Sequence, residues 1–284
     1  PILSLVVNRD NEHENFKSVF YYTINGEFSI GDYLIRTNLK TDEKITDENI
    51  ANRIKSECEN GRAVIDFIKT EHKSENPPLP YSLLKLQVDC SRILGLKPDK
   101  TLEITQSLRE KYKAITYNRS DCEYLPTTLW ESAAETISAL QSNFSGSPSI
   151  SEFIAASDTS IKSVAFNDEN ITAHHAIIPT AQSLDLSALS KDELSVYTLI
   201  VKRFLAQFFE KKEFDSTNIQ ISINDNKFVA SQVNITKHTF DTFLKAESAK
   251  EKEQSDEEDI TSDGVDFRCL SESDNVLLRR IETT

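Results

Sequence analysis

The stretch Ser190–Val233, SKDELSVYTLIVKRFLAQFFEKKEFDSTNIQISINDNKFVASQV, contains the change of hydrophobic period that decides the fold class. Its first half starts with a capping box of Ser190 and Glu193 and repeats apolar residues at helical spacing, which predicts an amphipathic helix. Its second half alternates apolar and polar residues over Thr217–Ile223, and the polar turn Asn224–Asn226 leads into a second alternating run. A helix followed by a β-hairpin indicates an α+β protein.

The first quarter of the chain has mostly strand patterns. Alternation over Phe16–Arg36 surrounds an Asn25–Gly26 pair, and this pattern predicts a hairpin. A short helix from about Thr46 to Gly61 and a strand over Ala63–Lys69 follow. Residues 1–15 have apolar positions at helical spacing, so they are expected to be the end of a truncated helix.

A proline-rich stretch, NPPLP at 76–80, marks a domain boundary because it can continue neither a helix nor a central strand. Helical spacing then predominates until residue 212. We therefore predict a β-rich domain, called the arch domain below, built from the separated segments 16–80 and 213–244. A mainly α-helical domain, 81–212, is inserted between them, and 245–284 is expected to be an acidic linker and the start of a following region.

Composition narrows the class of protein. The chain has 284 residues with 38% hydrophobic residues, which is enough for a buried core. It contains no long apolar run and no signal peptide pattern, and its four cysteines form no CxxC pair, so we predict a cytoplasmic protein that neither spans a membrane nor uses disulfides or a zinc ribbon. The net charge of −14 disfavours DNA binding, but residues 81–130 carry eight basic and six acidic side chains.

The string AITYNRSDCEYLP, Ala114–Pro126, concentrates a phenol, a guanidinium, a hydroxyl, a carboxylate and a thiol. A phenol attacks phosphorus as phenolate, and forming an ordinary phenolate at pH 7 costs about 4 kcal/mol. Arg119, two positions after Tyr117, can hold a phosphate through two hydrogen bonds and stabilise charge on its oxygens. This spacing favours transesterification by a tyrosine.

The same string resembles the active-site segment of type IA DNA topoisomerases of the bacterial topoisomerase III branch, typically TYPRSDCRYLP, in which the tyrosine becomes linked to a DNA 5′ phosphate. Four more strings resemble that family in the family's order: PILSLVVNRDNEHENF, PPLPYSLLKLQ, AHHAIIPT and ELSVYTLIVKRFLAQF. The resemblance extends over residues 1–240. It implies an enzyme that cleaves, passes and reseals single DNA strands without ATP. It also implies that the β-rich arch domain acts as the hinge and that the helix of residues 1–15 belongs to a central helical domain.

The resemblance also implies a catalytic set: Tyr117, Arg119, Asp121 and His174. In that set Tyr117 is the nucleophile and Arg119 binds the phosphate, while Asp121 and His174 assist proton transfer and position the strand. A second set is expected to contact DNA: Gln87, Ser120 and His175. The chain departs from the family pattern at Asn118, usually proline, and at Glu123, usually arginine, which changes backbone rigidity and charge beside the nucleophile.

The resemblance implies that Mg²⁺ is bound by an N-terminal TOPRIM domain with a D-x-D motif, and no D-x-D occurs in this sequence. No metal site is predicted in the chain itself, because His174 and His175 are adjacent and no cysteine or carboxylate lies at ligand spacing. The expected partners are single-stranded DNA and the TOPRIM domain of the same protein, which is expected to be a monomer. The chain alone is expected neither to cleave nor to relax DNA.

Several residues have a structural interpretation beside the functional one. Cys122 is expected to be a small packing residue rather than a reactive thiol. The aromatic residues of the last helix are expected to form core rather than a base-stacking surface: Tyr197, Phe204, Phe208 and Phe209. The acidic run of 245–266 is expected to be a solvated linker rather than a DNA mimic. A rival to the enzyme is a non-catalytic module that binds single-stranded DNA or another partner and keeps the fold.

Overall fold

Packing divides the chain into a β-rich unit and a helical unit, each assembled from separated segments. The structure, a computed structural model, describes residues 2–248 and 264–284. The β unit contains residues 2–71, 215–234 and 264–284, and the helical unit contains 72–214 and 235–248. The predicted α+β class is confirmed. Most of the predicted acidic linker, 249–263, lies outside the described residues.

Six strands of the described chain form a closed barrel in the order β1-β2-β5-β4-β3-β6. β6 pairs antiparallel with both β1 and β3, which closes the sheet. The strands have these bounds: β1 Ile24–Ile30, β2 Tyr33–Leu39, β3 Ala63–Glu75, β4 Lys212–Ile223, β5 Asn226–Lys237 and β6 Asn275–Thr283. The barrel core consists of apolar residues from alternate strand positions, including Phe28, Ile35, Ile65, Ile219, Ile221 and Phe228.

Two helices of the β unit differ in how they pack. α2, Glu48–Glu59, is capped at its start by Asp47, whose side chain accepts a hydrogen bond from the Asn49 N–H. This helix buries Ala51. α1, Ile2–Glu14, buries none of its residues. The helix predicted at the start of the chain is therefore present, and its assignment to a central helical domain stays a prediction.

The turn predicted for the first hairpin is in the wrong place. The chain turns between β1 and β2 at Gly31, which has φ +56°, and not at Asn25–Gly26. Gly26 lies inside β1, where a Cβ atom would come within 2.7 Å of a ring carbon of Phe28. This glycine therefore provides space for an aromatic core residue rather than turn flexibility. Residues 19–23 form no strand either, apart from a single bridge between Tyr22 and Ile45.

The end of the chain also differs from its predicted role. Residues 264–284 were expected to lead into a following region, but Asn275–Thr283 form β6 of the barrel. The β unit is thus built from three segments of chain instead of two. One pairing partner of β6 is β1, about 250 residues earlier, as the register Ile24↔Thr283 shows.

The helical unit is built around α8. Its helices have these bounds: α3 Leu83–Asp89, α4 Pro98–Glu110, α5 Thr127–Glu131, α6 Ala133–Asn143, α7 Pro148–Ala155, α8 Lys191–Leu205 and α9 Asp241–Ser248. The predicted capping box of α8 is confirmed: the Glu193 carboxylate accepts from the Ser190 N–H at 2.8 Å, and Ser190 Oγ accepts from the Glu193 N–H at 3.3 Å. No described helix is long and apolar enough to cross a membrane.

The aromatic residues of α8 and the turn after it are core, as predicted. Tyr197, Phe204 and Phe208 are fully or almost fully buried. The Tyr197 ring stacks on that of Phe144 at a centroid distance of 5.8 Å, and Phe208 contacts Phe204 edge-on at 5.1 Å. Burial of this face supplies the apolar contact that holds α8 among its neighbours.

A buried carboxylate connects three parts of the helical unit. Asp89, the last residue of α3, forms ion pairs with Arg92 at 3.0 Å and with Arg203 of α8 at 2.7 Å. It also accepts a hydrogen bond from the Tyr81 hydroxyl at 2.8 Å, and the Arg203 guanidinium lies over the Tyr81 ring. A carboxylate at this depth is tolerated because its oxygens are satisfied by charged and polar partners.

Candidate active site around Tyr117

The loop that carries Tyr117 is fixed along one side by the segment 176–180. The Thr116 N–H donates to the Ile178 carbonyl, and the Ile178 N–H donates to Thr116 Oγ1, both at 3.0 Å. The Thr180 N–H then donates to the Ala114 carbonyl, again at 3.0 Å. The strings AITYNRSDCEYLP and AHHAIIPT, far apart in sequence, therefore lie side by side and fix the backbone on which the phenol is mounted.

Two basic side chains contact the phenol ring. The His174 ring lies with its centroid 4.1 Å from that of Tyr117 at an interplanar angle of 38°. The Arg109 guanidinium carbon lies 4.6 Å from the ring centroid, within cation–π distance. Tyr117 is half-buried, and its hydroxyl forms no hydrogen bond with any described residue. The ring is thus held by its faces while its oxygen stays available to an incoming group.

A cavity of about 420 Å³ opens beside the phenol. It is lined by residues of α4, the Tyr117 loop and the facing segment: Arg109, Glu110, Lys113, Ile115, Thr116, Tyr117 and Thr180. Neither Arg109 nor Lys113 forms an ion pair with a described residue, whereas the Glu110 carboxylate accepts a hydrogen bond from Gln106 Nε2 at 3.2 Å. Two cations that form no ion pair, next to a phenol whose hydroxyl has no hydrogen-bond partner, favour an anionic ligand.

Arg119 and Asp121 follow Tyr117 by two and four positions in sequence, but neither side chain forms a hydrogen bond with the phenol. Arg119 is exposed, and one of its terminal nitrogens donates to Gln106 Oε1 at 3.5 Å, a long contact that leaves the guanidinium accessible. Asp121 is exposed and accepts from Thr172 Oγ1 at 3.2 Å. Of the predicted catalytic set, the structure therefore brings His174 into direct contact with Tyr117, and the roles of Arg119 and Asp121 remain predictions.

Alternate residues of the loop point into the protein. Asn118 is 1% exposed and its side-chain amide donates to Thr105 Oγ1 of α4 at 3.3 Å. Ser120 is also 1% exposed, and its hydroxyl accepts from the Cys122 N–H at 3.2 Å. The structure therefore gives Ser120 a turn-stabilising role instead of the predicted DNA contact. Cys122 is buried, as a packing residue should be.

Three more side chains have local partners: Gln87 and His175, the other predicted DNA contacts, and Glu123, which replaces the arginine of the family pattern. Gln87 donates its amide to the Pro98 carbonyl at 2.9 Å, and His175 Nδ1 lies 2.8 Å from the carbonyl oxygen of the next residue. Both side chains remain partly exposed, so a DNA contact stays a prediction for each. The Glu123 carboxylate accepts from the Ser82 hydroxyl at 3.1 Å, at the N-cap of α3, where a negative charge is favourable.

The described residues offer no place for the implied Mg²⁺. No three His, Cys, Asp or Glu side chains come together within 2–248 and 264–284 in a way that could hold a metal ion. His174 is in contact with the phenol ring and His175 with a backbone carbonyl, so the adjacent histidines do not converge.

Fold and site together define an α+β protein with an accessible tyrosine beside a cation-lined cavity, and comparison with known proteins gives its class. The chain belongs to the DNA topoisomerase family, whose model matches residues 1–278. It is 32% identical over 247 residues to DNA topoisomerase 3 of Vibrio cholerae, covering 81% of this chain and 37% of that protein. It is also 32% identical over 257 residues to DNA topoisomerase 3 of Staphylococcus aureus strain MRSA252, covering 89% and 35%. The resemblance to the topoisomerase III branch is thereby confirmed.

A solved structure has the same fold. Full-length topoisomerase I from Thermotoga maritima superposes with a TM-score of 0.64 at 21% identity, over 99% of this chain and 43% of that one. At this identity the likeness shows the fold alone. The chain thus spans a little over a third of the length of the curated relatives described above.

Sequence reasoning missed the residues that complete the site. Arg109, Lys113 and Thr180 line the cavity beside Tyr117, yet none was assigned a role from its sequence position. One signal was available: Arg109 lies in the last turn of α4 and Lys113 in the short connection between that helix and Tyr117, so both are close to the nucleophile in sequence. The contribution of Thr180 depends on pairing between distant strings and could not be read from spacing.

Proposed function

We propose that this chain carries the cleaving tyrosine and the strand gate of a type IA DNA topoisomerase of the topoisomerase III branch. The observation that supports the proposal most directly is the environment of Tyr117. Its phenol is contacted by a guanidinium and an imidazole, its hydroxyl is free, and it borders an open cavity lined by two cations. Attack on phosphorus needs an accessible hydroxyl and positive charge near the incoming phosphate, and both are present beside Tyr117.

In the proposed reaction Tyr117 Oη attacks the phosphorus of a DNA phosphodiester. The O–P bond to tyrosine forms, the P–O3′ bond breaks, and a proton passes from the phenol to a base while the released 3′ oxygen gains one. Arg119 holds the phosphate oxygens and His174 positions the ring and assists the proton transfer, with Asp121 acting through its neighbours. Resealing is the reverse reaction, so one ester replaces another and no ATP is needed.

Strand passage requires that the cut ends separate and return. We propose that the helical unit carries the attached 5′ end and that the β unit corresponds to the arch on which it moves. The remaining parts of the proposal are single-stranded DNA as substrate, a TOPRIM domain of the same protein as the source of the Mg²⁺ site, and a monomeric enzyme. By itself the chain, which spans 35–37% of its relatives and holds no metal cluster in its described residues, is proposed not to relax DNA.

The test uses the position of a label on DNA. The chain is combined with the preceding region of its protein, Mg²⁺ and a single-stranded oligonucleotide labelled at either its 3′ or its 5′ end. A 5′-phosphotyrosine link transfers the 3′ label to protein on a denaturing gel and releases a shortened 5′-labelled strand. Tyr117→Phe should abolish the transfer, whereas Tyr124→Phe, whose hydroxyl has no hydrogen bond to a described residue, should not.

The rival function is a non-catalytic module that binds single-stranded DNA. Asn118 and Glu123 favour this rival, because each stands near the nucleophile at a position where the topoisomerase III pattern usually has another residue. The structure accommodates both, through Thr105 and Ser82 respectively. Retained oligonucleotide binding without any label transfer would select the rival, and transfer of the 5′ label instead of the 3′ label would contradict both proposals.

A further inference from the structure

The cavity beside Tyr117 contains two cations to which the proposed reaction gives no part in holding the scissile phosphate. Arg119, the proposed ligand of the scissile phosphate, is not among the residues that line it. Arg109 lies over the phenol ring, and Lys113 has no side-chain partner among the described residues. With the Glu110 carboxylate the cavity carries two positive charges and one negative charge, a net charge of +1. This charge matches a single phosphodiester.

The backbone at Lys113 adds an independent observation. Lys113 has φ +55°, in the left-handed region that a glycine adopts at little cost and a lysine does not. The conformation is held by Thr180, whose hydroxyl donates to the Lys113 carbonyl at 2.6 Å. A strained residue that nevertheless carries a long cationic side chain, and lines a cavity next to the nucleophile, indicates that this side chain is needed there.

The two threonine hydroxyls of the cavity are already occupied, so the two cations are its available donors besides the hydroxyl of the nucleophile. Thr180 Oγ1 donates to Lys113, and Thr116 Oγ1 donates to the Ala176 carbonyl at 3.2 Å. The Glu110 carboxylate is held by Gln106 on the adjacent turn of α4. A guanidinium that can bind two oxygens and an ammonium that acts as a point charge are suited to phosphate oxygens rather than to a base edge.

We propose that Arg109 and Lys113 form a binding subsite for a backbone phosphate of the single strand, next to the phosphate that is cut. The proposal rests on the proposed function, since it places the subsite on the strand that Tyr117 attacks. A contact to a neighbouring phosphate fixes the position of the strand along its length without reading its sequence. Arg109 then has two tasks, because the guanidinium that binds the strand also contacts the ring of the nucleophile.

The experiment measures the salt dependence of oligonucleotide binding. Fluorescence anisotropy with a labelled oligo-dT is recorded for the chain and its variants at about 50 and about 200 mM salt. For single strands the slope of log affinity against log salt is about −0.7 per phosphate contact, so each contact accounts for about a 2.6-fold loss over this fourfold range. Arg109→Gln and Lys113→Gly should each bind more weakly at low salt and should each lose about 2.6-fold less affinity across the range.

Lys113→Gly separates binding from folding. Glycine adopts φ +55° without strain, so the unfolding midpoint of this variant should not fall, although its affinity for DNA does. The matched control is Lys100→Gln, which removes a cation from α4, the helix that also carries Arg109. Lys100 pairs with Glu103 at 3.1 Å and does not line the cavity. Equal effects of Lys100→Gln would show that only bulk charge matters and would overturn the proposal, as would unchanged slopes or an absence of binding by the chain.

Two further outcomes distinguish the source of the phosphate and the fate of the proposed function. Displacement of the oligonucleotide by millimolar inorganic phosphate at constant ionic strength would make the cavity a site for free phosphate and would overturn the assignment to DNA. If the Tyr117 adduct forms but the Arg109 and Lys113 variants bind like the parent chain, the subsite is wrong while the enzyme stands. If no adduct forms but the slopes change as expected, the subsite is supported in a non-catalytic module.

Discussion

Replacing Asp89 with asparagine should destabilise the helical unit strongly. The side chain of Asp89 is 10% exposed and its partners Arg92 and Arg203 are 16% and 18% exposed, so both guanidinium groups would lose their common counter-charge in a poorly hydrated place. Removal of one partner from a buried ion pair costs about 3–5 kcal/mol. Because asparagine can still accept from the Tyr81 hydroxyl and some water reaches the cluster, we expect about 3 kcal/mol.

The assay for this prediction is urea unfolding followed by tryptophan fluorescence. Trp130 is the one tryptophan of the sequence and lies in the helical unit, where its indole N–H donates to the Ile161 carbonyl at 3.0 Å. Fluorescence therefore reports the unfolding of this unit without a contribution from the barrel. With a slope of about 2 kcal/mol per molar urea, the loss corresponds to a midpoint lower by about 1.5 M.

The control is Glu103→Gln, which breaks an exposed ion pair on α4 whose partners are 52% and 70% exposed, and which should cost less than about 1 kcal/mol. A double variant Asp89→Asn with Arg203→Met should regain part of the loss, since it removes one of the uncompensated charges. The reasoning is refuted if Asp89→Asn costs no more than Glu103→Gln, or if the double variant is as unstable as the sum of the two single variants.

Three other predictions follow from local contacts. Burial raises the pKa of the Cys90 thiol to about 12, so native protein at pH 8 should react with a thiol reagent at the exposed Cys269 and not at Cys90; equal labelling in peptide maps would contradict this. Although burial opposes its charge, hydrogen bonds led by that from Ser107 lower the pKa of Glu193. The contribution of Glu193 to folding stability is therefore complete above the ordinary glutamate pKa of 4.5 and is lost as the pH falls below it. Glu193→Gln should flatten the acid limb of a stability curve followed by fluorescence. Gly61→Ala would place a Cβ 2.1 Å from an isoleucine methyl of β4, and should lower barrel stability by about 1–3 kcal/mol in circular dichroism melts; an unchanged melt would show that the turn relaxes freely.

The sequence predicted those parts of the fold that depend on local periodicity. The capping box at Ser190 and the turn after Ile223 were located correctly, because their signals are contained within a few residues. The first hairpin was misplaced because two glycines compete there, and only the packing of Phe28 shows which of them must lack a side chain. β6 was missed because its partner β1 is far away in sequence, and local alternation does not predict which distant strand a segment pairs with.

For the candidate site, the match of two strings to a family pattern predicted a role for Tyr117 and His174, and the structure brings these two side chains together. It could not show that the two rings touch, nor that Asp121 is directed to Thr172 and not to the phenol. Arg109 was missed because it belongs to a helix and not to the motif, although its guanidinium lies over the phenol ring. Side-chain direction, which decides the content of a site, depends on tertiary packing that spacing does not specify.

The position of β6 between β1 and β3 has a consequence for how the protein is made. The first three strands are synthesised early, but their sheet stays open until a strand more than 200 residues later arrives, as the hydrogen bond between Thr23 and Thr284 illustrates. Until then two strand edges are exposed, and such edges recruit other chains into aggregates. A shortened chain that stops before Asn275 should therefore express as insoluble material, because β6 is the strand that covers both exposed edges of the barrel sheet.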